Sequence, residues 1–290
     1  MCDTCGCSEE SKTVIRMPGK RTADEDNQHH DHYHGHEHHD HDHHHGHEHH
    51  DHDHQHDHSH HDHSHNHGST YRKVELETDI LARNSLIAER NRGFFEGRNI
   101  FAVNMMSSPG SGKTTLLERT VQELRNELSF YVIEGDQQTD NDAARIEAAG
   151  ATAIQVNTGS GCHLDAEMVN KATRIIDPPE ASVLMIENVG NLVCPSLFDL
   201  GECKRVVIIS VTEGDDKPLK YPSIFRNADL CIINKTDLLP YVDFNVEKAK
   251  EYGLRVNHHL QFIELSATKG EGVNDWYSWI RESRQKELSQ

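Results

Sequence analysis

Long apolar segments are absent from this chain of 290 residues. No apolar run reaches the roughly 18 residues that a membrane-spanning helix needs, so the sequence predicts no transmembrane segment. The N-terminal residues are polar and rich in cysteine, and they lack the apolar core of a secretory signal. We therefore expect a cytoplasmic protein whose seven cysteines act as thiols or metal ligands rather than as disulfides.

Basic residues are also scarce, because 29 Lys and Arg stand against 48 Asp and Glu, for a formal net charge of −19. A nucleic-acid-binding surface would need a basic patch, so we expect no nucleic-acid partner. Apolar residues are few before residue 71 and frequent after it. The sequence therefore predicts a cysteine motif at 1–7, a disordered segment at 8–70, a helix at 71–98 and a folded domain at 99–290.

Three cysteines, Cys2, Cys5 and Cys7, crowd the N-terminus. Thiolates at this spacing can close on one soft or borderline cation, and Gly6 permits the tight bend. One alternative is an unstructured tail with incidental thiols. Another is a redox pair, although such a pair expects a strand–helix context that is missing here. The motif therefore favours a metal site.

Most of the 26 histidines lie between His29 and His67, where they alternate mainly with Asp and Glu. This tract has almost no apolar content and is not expected to fold. Imidazole and carboxylate groups bind borderline divalent cations such as Ni²⁺ and Zn²⁺, so the tract predicts metal storage or buffering. An affinity tag would be shorter and uninterrupted, and a plain spacer would not need so many histidines.

A glycine-rich turn, SSPGSGKTT, joins an apolar run at 100–106 to a helix-forming run at 114–128. In such a turn, backbone N–H groups and the helix N-terminus bind the phosphates of a nucleotide. Lys113 would reach the β- and γ-phosphates and Thr114 would ligate Mg²⁺, which makes both predicted catalytic residues. Ser107 stands where the usual first glycine of this loop would be. The predicted phosphate-binding residues are Gly110, Ser111, Gly112, Lys113, Thr114 and Thr115.

Acidic residues follow two further apolar runs. Asp136 comes just after the strand predicted at 130–134, where a carboxylate can hold Mg²⁺ or its waters. Glu187 ends the strand predicted at 181–187, and Gly190 follows three residues later. This spacing resembles the DxxG switch element of GTPases with Glu in place of Asp, so the Gly190 N–H would bond the γ-phosphate. Asp136 and Glu187 are also candidates for orienting the attacking water.

The strand predicted at 229–234 ends in the letters NKTD, from Asn234 to Asp237. The Asp237 carboxylate would accept hydrogen bonds from N1–H and the exocyclic amine of guanine, and adenine would leave it unpaired. The stem of Lys235 would lie along the base. Ser266 and Ala267 follow the strand predicted at 261–265, where the Ala267 N–H would meet guanine O6. These features favour guanine, and with the phosphate loop they predict a GTPase domain at 99–290.

Cys162, His163 and Cys194 form a second candidate metal site. Two thiolates and one imidazole suit a tetrahedral or square-planar cation such as zinc or nickel. Cys194 lies far from the other two in the sequence, so buried structural cysteines are an open alternative. Three ligands per chain leave a gap that a second subunit could fill. Because Cys194 closely follows Gly190, hydrolysis could load or release the metal.

Alternation of apolar runs with helix-forming segments predicts an α/β fold: a P-loop NTPase with a doubly wound, mainly parallel sheet flanked by helices. The helix predicted at 74–95 carries apolar residues at 76, 80 and 87 and a second row at 74, 81 and 88. This spacing predicts that the helix packs on the domain through that stripe. The predicted strands are 100–106, 130–134, 152–156, 181–187, 205–212, 229–234 and 261–265.

Together, these motifs resemble the HypB family, the hydrogenase maturation GTPases that help to insert nickel. The resemblance covers residues 1–7 and 71–290, and Ser107 is part of the family's own loop pattern. The His-rich tract resembles that of nickel-storing members. The matching segments read MCDTCGC, SSPGSGKTT, EGDQQT, NTGSGCHLDA, IENVGNLVCP, SVTEGDDKPLKYP and NKTDLLPY.

The resemblance implies a dimerising GTPase domain that uses GTP and Mg²⁺. It implies a tight nickel site at the N-terminal cysteines and a weaker nickel or zinc site at Cys162, His163 and Cys194. The implied partners are a nickel-delivery protein of the hydrogenase maturation pathway, the hydrogenase large subunit and a second copy of the chain. We expect a GTP-hydrolysing nickel chaperone. The alternatives are a metal buffer whose GTPase domain only controls dimerisation, and an accessory GTPase for urease.

Overall fold

The computed structural model describes residues 13–17, 68–136, 141–159 and 161–289. The chain divides into two units, one formed by 1–20 with 77–290 and the other by 21–76. The first unit contains the sheet and the predicted nucleotide site. The predicted metal site at Cys2, Cys5 and Cys7 and the His-rich tract at 29–67 lie outside the described residues.

Eight strands of the described chain form one sheet in the order β1-β4-β3-β5-β2-β6-β7-β8. All neighbouring pairs are parallel except β1 with β4. The central strands are almost continuously apolar because helices bury both faces of the sheet. This sheet confirms the predicted α/β class. The strands are β1 (Val14–Arg16), β2 (Phe101–Ser107), β3 (Phe130–Asp136), β4 (Thr152–Asn157), β5 (Val183–Gly190), β6 (Lys204–Ser210), β7 (Leu230–Asn234) and β8 (Gln261–Glu264).

Helices cover both faces of the sheet and pack against it through three clusters of buried apolar residues. Because the strands are parallel, their carboxyl ends meet at one edge, where loops can build a binding site. Within the described residues, no helix is both long and apolar enough to cross a bilayer. The helices are α1 (Gly68–Gly97), α2 (Lys113–Leu124), α3 (Asn141–Ala149), α4 (Ala166–Ile176), α5 (Lys217–Lys220), α6 (Pro222–Arg226), α7 (Val246–Val256) and α8 (Val273–Glu287).

Strand β1 lies where the sequence predicted a disordered linker. Its three residues pair antiparallel with β4, and Ile15 stands opposite Val156. Ile15 and Met17 also pack against the apolar cluster beneath α1 and α4. The prediction was wrong at these residues because a segment this short shows no periodicity, and its partner strand lies far along the chain.

Helix α1 was predicted correctly in type, but its buried face matches the predicted stripe only in part. The predicted stripe included position 80, yet Ile80 is exposed. The fully buried positions are Asn84, Ala88, Asn91 and Phe95, which recur at the helical spacing of three to four residues, and only Ala88 among them belongs to the predicted stripe. The two asparagines can be buried because their side-chain amides bond to backbone groups of distant segments. Polar residues at a buried face hid this stripe from a reading of apolar periodicity.

One fully buried polar contact joins two helices on the other face of the sheet. The indole N–H of Trp276 donates to Thr120 Oγ1 at 2.9 Å, and both residues have no exposed surface. We predict that Thr120→Val lowers the free energy of unfolding by about 1–3 kcal/mol, because it leaves the indole N–H buried without a partner. Urea denaturation measures this loss. Gln261→Ala, which removes the exposed partner of Trp279, should change stability by less than about 0.5 kcal/mol; equal losses would contradict the burial argument.

Candidate nucleotide and metal site

The glycine-rich turn between β2 and α2 adopts a backbone that its glycines permit. Gly112 precedes α2 with φ of 92°, in the left-handed region that glycine tolerates. A Cβ added to Gly112 would lie 2.5 Å from Nδ2 of Asn234. That Asn234 amide donates to the carbonyl of Ser111 at 2.8 Å, so the NKTD segment supports the turn directly. Conformation and close approach both require glycine here.

Lys113 and Thr114, at the start of α2, both contact one carboxylate. Lys113 Nζ donates to Glu187 Oε1 at 2.8 Å, and Thr114 Oγ1 donates to the same oxygen at 2.6 Å. Glu187 is fully buried and the Lys113 side chain is nearly so. The two groups stay paired because either charge, buried without its partner, would destabilise the folded protein. The sequence offered Glu187 as a candidate for orienting water, and the structure places it as the partner of both predicted catalytic residues.

A second buried carboxylate, Glu134, stands beside Glu187 on the neighbouring strand. The two residues are register partners of β3 and β5. Burial and the Glu187 charge raise the pKa of Glu134 to about 8, against a partial opposing effect of Lys113. One oxygen of each carboxylate, Oε2, is buried and finds no hydrogen-bond partner among the described residues. Two carboxylates thus share a single lysine.

This arrangement fits the Mg²⁺ predicted at Thr114 and Asp136. Asp136 ends β3 and is half-buried, two residues beyond Glu134. Buried carboxylate oxygens without partners are the hard oxygen ligands or water acceptors that Mg²⁺ prefers. The hydroxyl of Thr114 lies within the same group through its bond to Glu187. The residues present therefore suit a divalent cation next to the phosphate loop.

The predicted base-binding residues converge at the ends of β7 and β8. Asn234 Oδ1 accepts hydrogen bonds from the backbone N–H groups of Lys235 at 2.7 Å and Ala267 at 3.0 Å. Lys235 Nζ donates to the Gly110 carbonyl at 2.6 Å. Ser266 Oγ donates to Asp237 Oδ1 at 2.6 Å, which fixes the half-buried carboxylate. These contacts bring together the NKTD segment, the Ser-Ala loop and the glycine-rich turn.

Cys162, His163 and Cys194 also come together, although β4 and β5, which precede them, are not adjacent. One potential ligand atom from each residue lies within 4.8 Å of the other two, and all three residues are half-buried. The imidazole of His163 stacks on Phe198 with ring centroids 3.9 Å apart. Burial lowers the pKa of His163, partly opposed by Asp165, which favours the neutral ring that ligates metals. Two sulfurs and one imidazole are the ligands of zinc and related cations.

Strand β5 connects this metal-ligand group to the phosphate loop. Its residues alternate between the faces of the sheet, so Glu187 contacts Lys113 while Asn188 points to the other face. Asn188 Oδ1 accepts from the N–H of Leu164 at 3.0 Å, immediately after His163. Gly190 ends the strand against the glycine-rich turn, where an added Cβ would lie 3.1 Å from Pro109 Cα. Consecutive residues of one strand therefore touch both candidate sites.

Comparisons with known proteins agree with this geometry. Residues 101–264 match the model of the CobW/HypB/UreG nucleotide-binding domain. The hydrogenase maturation factor HypB of Rhizobium leguminosarum bv. viciae is 56% identical over 215 residues, which cover 74% of this chain and 72% of the relative. The chain belongs to the HypB family. The family resemblance inferred from the motifs is confirmed.

Two solved HypB structures share the fold. HypB from Archaeoglobus fulgidus has a TM-score of 0.65 at 42% identity, over 70% of this chain and 99% of that chain. HypB from Helicobacter pylori, solved in complex with nickel, has a TM-score of 0.68 at 36% identity, over 71% of this chain and 97% of that chain.

Several residues of the site were missed in the sequence. Glu134 had a signal, since it is the charged residue that interrupts an apolar run just before Asp136. Asn188 is polar within a buried strand, which is also a signal. Phe198 had none, because its stacking depends on a distant loop. Glu213 also had no signal in the sequence. Its carboxylate accepts a hydrogen bond from Ser108 Oγ in the glycine-rich turn.

The raised pKa of Glu134 generates a pH prediction. Its folded pKa, about 8, exceeds the ordinary value of 4.5, so the folded state binds an extra proton. Wild-type stability from this group is therefore full below about pH 4.5 and falls as the pH rises through about 8. Glu134→Gln cannot lose that proton, so its stability relative to wild type should rise steadily over this window. Chemical denaturation of the nucleotide-free protein across the window measures the difference. A flat difference for Glu134→Gln would contradict the prediction.

Proposed function

We propose that the protein is a GTP-hydrolysing nickel metallochaperone that acts in the maturation of [NiFe]-hydrogenase. One observation carries this proposal: Glu187 contacts the predicted catalytic residues, while the next residue, Asn188, contacts the loop of the metal ligands. A chain whose phosphate loop and cysteine-rich site share a strand suits a protein that links hydrolysis to metal handling. Because the chain is similar to hydrogenase maturation factors, hydrogenase is the proposed recipient of the metal.

GTP hydrolysis proceeds by attack of water on the γ-phosphorus, with cleavage of the bond to the β-phosphate oxygen and release of GDP and phosphate. Lys113 and the amides of the glycine-rich turn stabilise charge on the phosphoryl oxygens. A Mg²⁺ held by Thr114 and Asp136 supplies further charge neutralisation. Asp237 and Ala267 select guanine. Among the described residues, no arginine forms an ion pair with Glu187 or Glu134, and we expect slow intrinsic turnover.

Cys162, His163 and Cys194 hold the transported ion. Two thiolates with one imidazole suit nickel or zinc, and a three-residue set leaves a coordination position open for transfer. Val193 and Leu197, which flank Cys194, expose their apolar side chains. Exposed apolar residues around a ligand suit docking of a second copy or a maturation partner. We propose that the chain forms a homodimer when GTP is bound. Its other proposed partners are a nickel-delivery protein and the hydrogenase large subunit.

Nickel storage is the proposed role of the segment at 29–67, on the basis of its histidine content. The three N-terminal cysteines are proposed as a separate, tighter nickel site. The storage role rests on composition, and the tight nickel binding by the cysteines is what the resemblance to the family implies. Both roles agree with the similarity to a HypB protein that was solved in complex with nickel.

Guanine selection predicts the effect of one substitution. Asp237→Asn replaces an acceptor of two guanine hydrogen bonds with an amide, so the affinity for GTP should fall by at least about 100-fold. The preference for GTP over ATP should shrink accordingly. Competition of the two nucleotides for a fluorescent analogue measures both values. Asp243→Asn, on the loop beyond the NKTD segment, is the control, and unchanged GTP preference in Asp237→Asn would refute the assignment.

Coupling between nucleotide and metal predicts a second result. Nickel affinity at Cys162, His163 and Cys194 should differ about 5- to 150-fold between the GDP complex and the complex with a non-hydrolysable GTP analogue. Asn188→Ala should abolish most of this difference while retaining nucleotide binding, because it removes the contact to Leu164. Nickel titrations in the two nucleotide states measure both effects. Identical nickel affinity in the two states of the wild type would defeat the proposed function.

A further inference from the structure

We propose that helix α1 is a clamp that sets the spacing of the metal ligands, with Asn84 and Asn91 as positioning residues. Each asparagine bridges the segment that follows Cys162 and His163 to the segment that follows Cys194. Neither asparagine touches a ligand. The inference rests on the proposed metal site and adds to it the residues that hold its two halves together.

Asn84 makes one bond to each half. Its Oδ1 accepts from the N–H of Ala166 at 2.9 Å, and its Nδ2 donates to the carbonyl of Asp199 at 2.7 Å. Ala166 is the first residue of α4 and follows His163 closely. Asp199 directly follows Phe198, whose ring stacks on the His163 imidazole. The donor and acceptor of a single amide are therefore divided between the two segments.

Asn91, two turns further along α1, repeats this bridge. Its Nδ2 donates to the carbonyls of Ala166 and Leu200, both at 2.9 Å. Its Oδ1 accepts from Asn170 Nδ2 at 2.7 Å, which orients the amide. Asn91 is 1% exposed, so these bonds form away from water. Breaking them would leave buried carbonyls unsatisfied, which makes the bridge rigid.

The backbone of α1 also lies directly against the segment after Cys194. Gly201 has φ of 87°, and a Cβ there would lie 2.5 Å from the carbonyl oxygen of Ala88. Arg92 Nη2 bonds Asp199 Oδ2 at 2.7 Å. The far end of the Cys194 segment is thus attached to α1 by side chains and by close packing. α1 fixes where this segment ends relative to the start of α4.

A nickel titration of the full chain tests the clamp. Cys2→Ser, Cys5→Ser and Cys7→Ser together remove the N-terminal thiolates, and the His-rich tract contributes no sulfur. Cys203 and Cys231 also remain as thiols. The part of the sulfur-to-nickel charge-transfer absorption that is lost in Cys162→Ser, measured in chelator-buffered nickel, therefore reports the site of Cys162 and Cys194. Asn84→Asp keeps the acceptor for Ala166 but places an oxygen against the Asp199 carbonyl. We expect its nickel affinity to fall about 10-fold or more.

Asn257→Asp is the matched control. Asn257 also donates to two backbone carbonyls, those of Phe225 and Ala228, and neither carbonyl belongs to the segments that α1 joins. It should lose comparable stability in urea denaturation but retain the nickel affinity of the parent chain. Equal nickel affinity in Asn84→Asp and the parent would overturn the clamp. If Asn84→Asp does not fold, the milder Asn170→Ala decides, since it only releases Asn91 and should weaken nickel binding by a smaller factor.

A metal-free measurement separates the clamp from the proposed function. Dibromobimane fluoresces when it links two neighbouring thiols, so its rate of linking Cys162 to Cys194 reports their spacing without nickel. Asn84→Asp should slow this reaction, and an unchanged rate would contradict the clamp. If the parent shows no charge-transfer absorption that depends on Cys162 and Cys194, the metal site itself fails, whatever the linking rate shows.

Discussion

The ion pair between Lys113 and Glu187 is the interaction on which the site depends. Both groups are buried, so neither can be left without a partner at low cost. Glu134, the register partner of Glu187, places a second buried carboxyl group beside this ion pair. A triphosphate that drew Lys113 toward its own oxygens would leave the buried Glu187 carboxylate without a cation. A divalent ion near Thr114 would supply the missing positive charge, so phosphate and Mg²⁺ are expected to bind together.

Strand β5 connects the Lys113–Glu187 ion pair to the metal ligands through its alternating side chains. Neighbouring residues of a strand face opposite sides of the sheet, so a displacement at Glu187 is shared by Asn188. Asn188 is bonded to Leu164, next to His163. It also donates to Asn104 Oδ1 on β2, over a longer distance of 3.4 Å. The two candidate sites are therefore joined through backbone and buried amides, which transmit small shifts because a packed interior deforms little.

Features encoded within one stretch of sequence could be predicted, and features that depend on pairing between distant stretches could not. The glycine-rich turn and the NKTD segment carry their chemistry in consecutive residues, and the apolar strands show continuous burial. Apolar spacing could not mark the polar Asn84 as buried, because the partners that satisfy its amide lie 82 and 115 residues away. The burial of Glu134 beside Glu187 depends on the register of two strands. The meeting of Cys162 with Cys194 depends on strand order, which local sequence does not specify.

The two ends of the segment that carries Cys194 are held differently, and this difference suggests where motion would be absorbed. At one end, Gly190 packs against the glycine-rich turn, where a change in the bound phosphate would act first. At the other end, Asp199 and Leu200 are bonded to Asn84 and Asn91 of α1. A segment that is pushed at one end and fixed at the other must change shape between them. Cys194 lies in that interval, within a short 3₁₀ turn, while the loop of Cys162 and His163 is held by the same helix. Movement of the sulfur relative to the imidazole is therefore the expected mechanical consequence of nucleotide exchange.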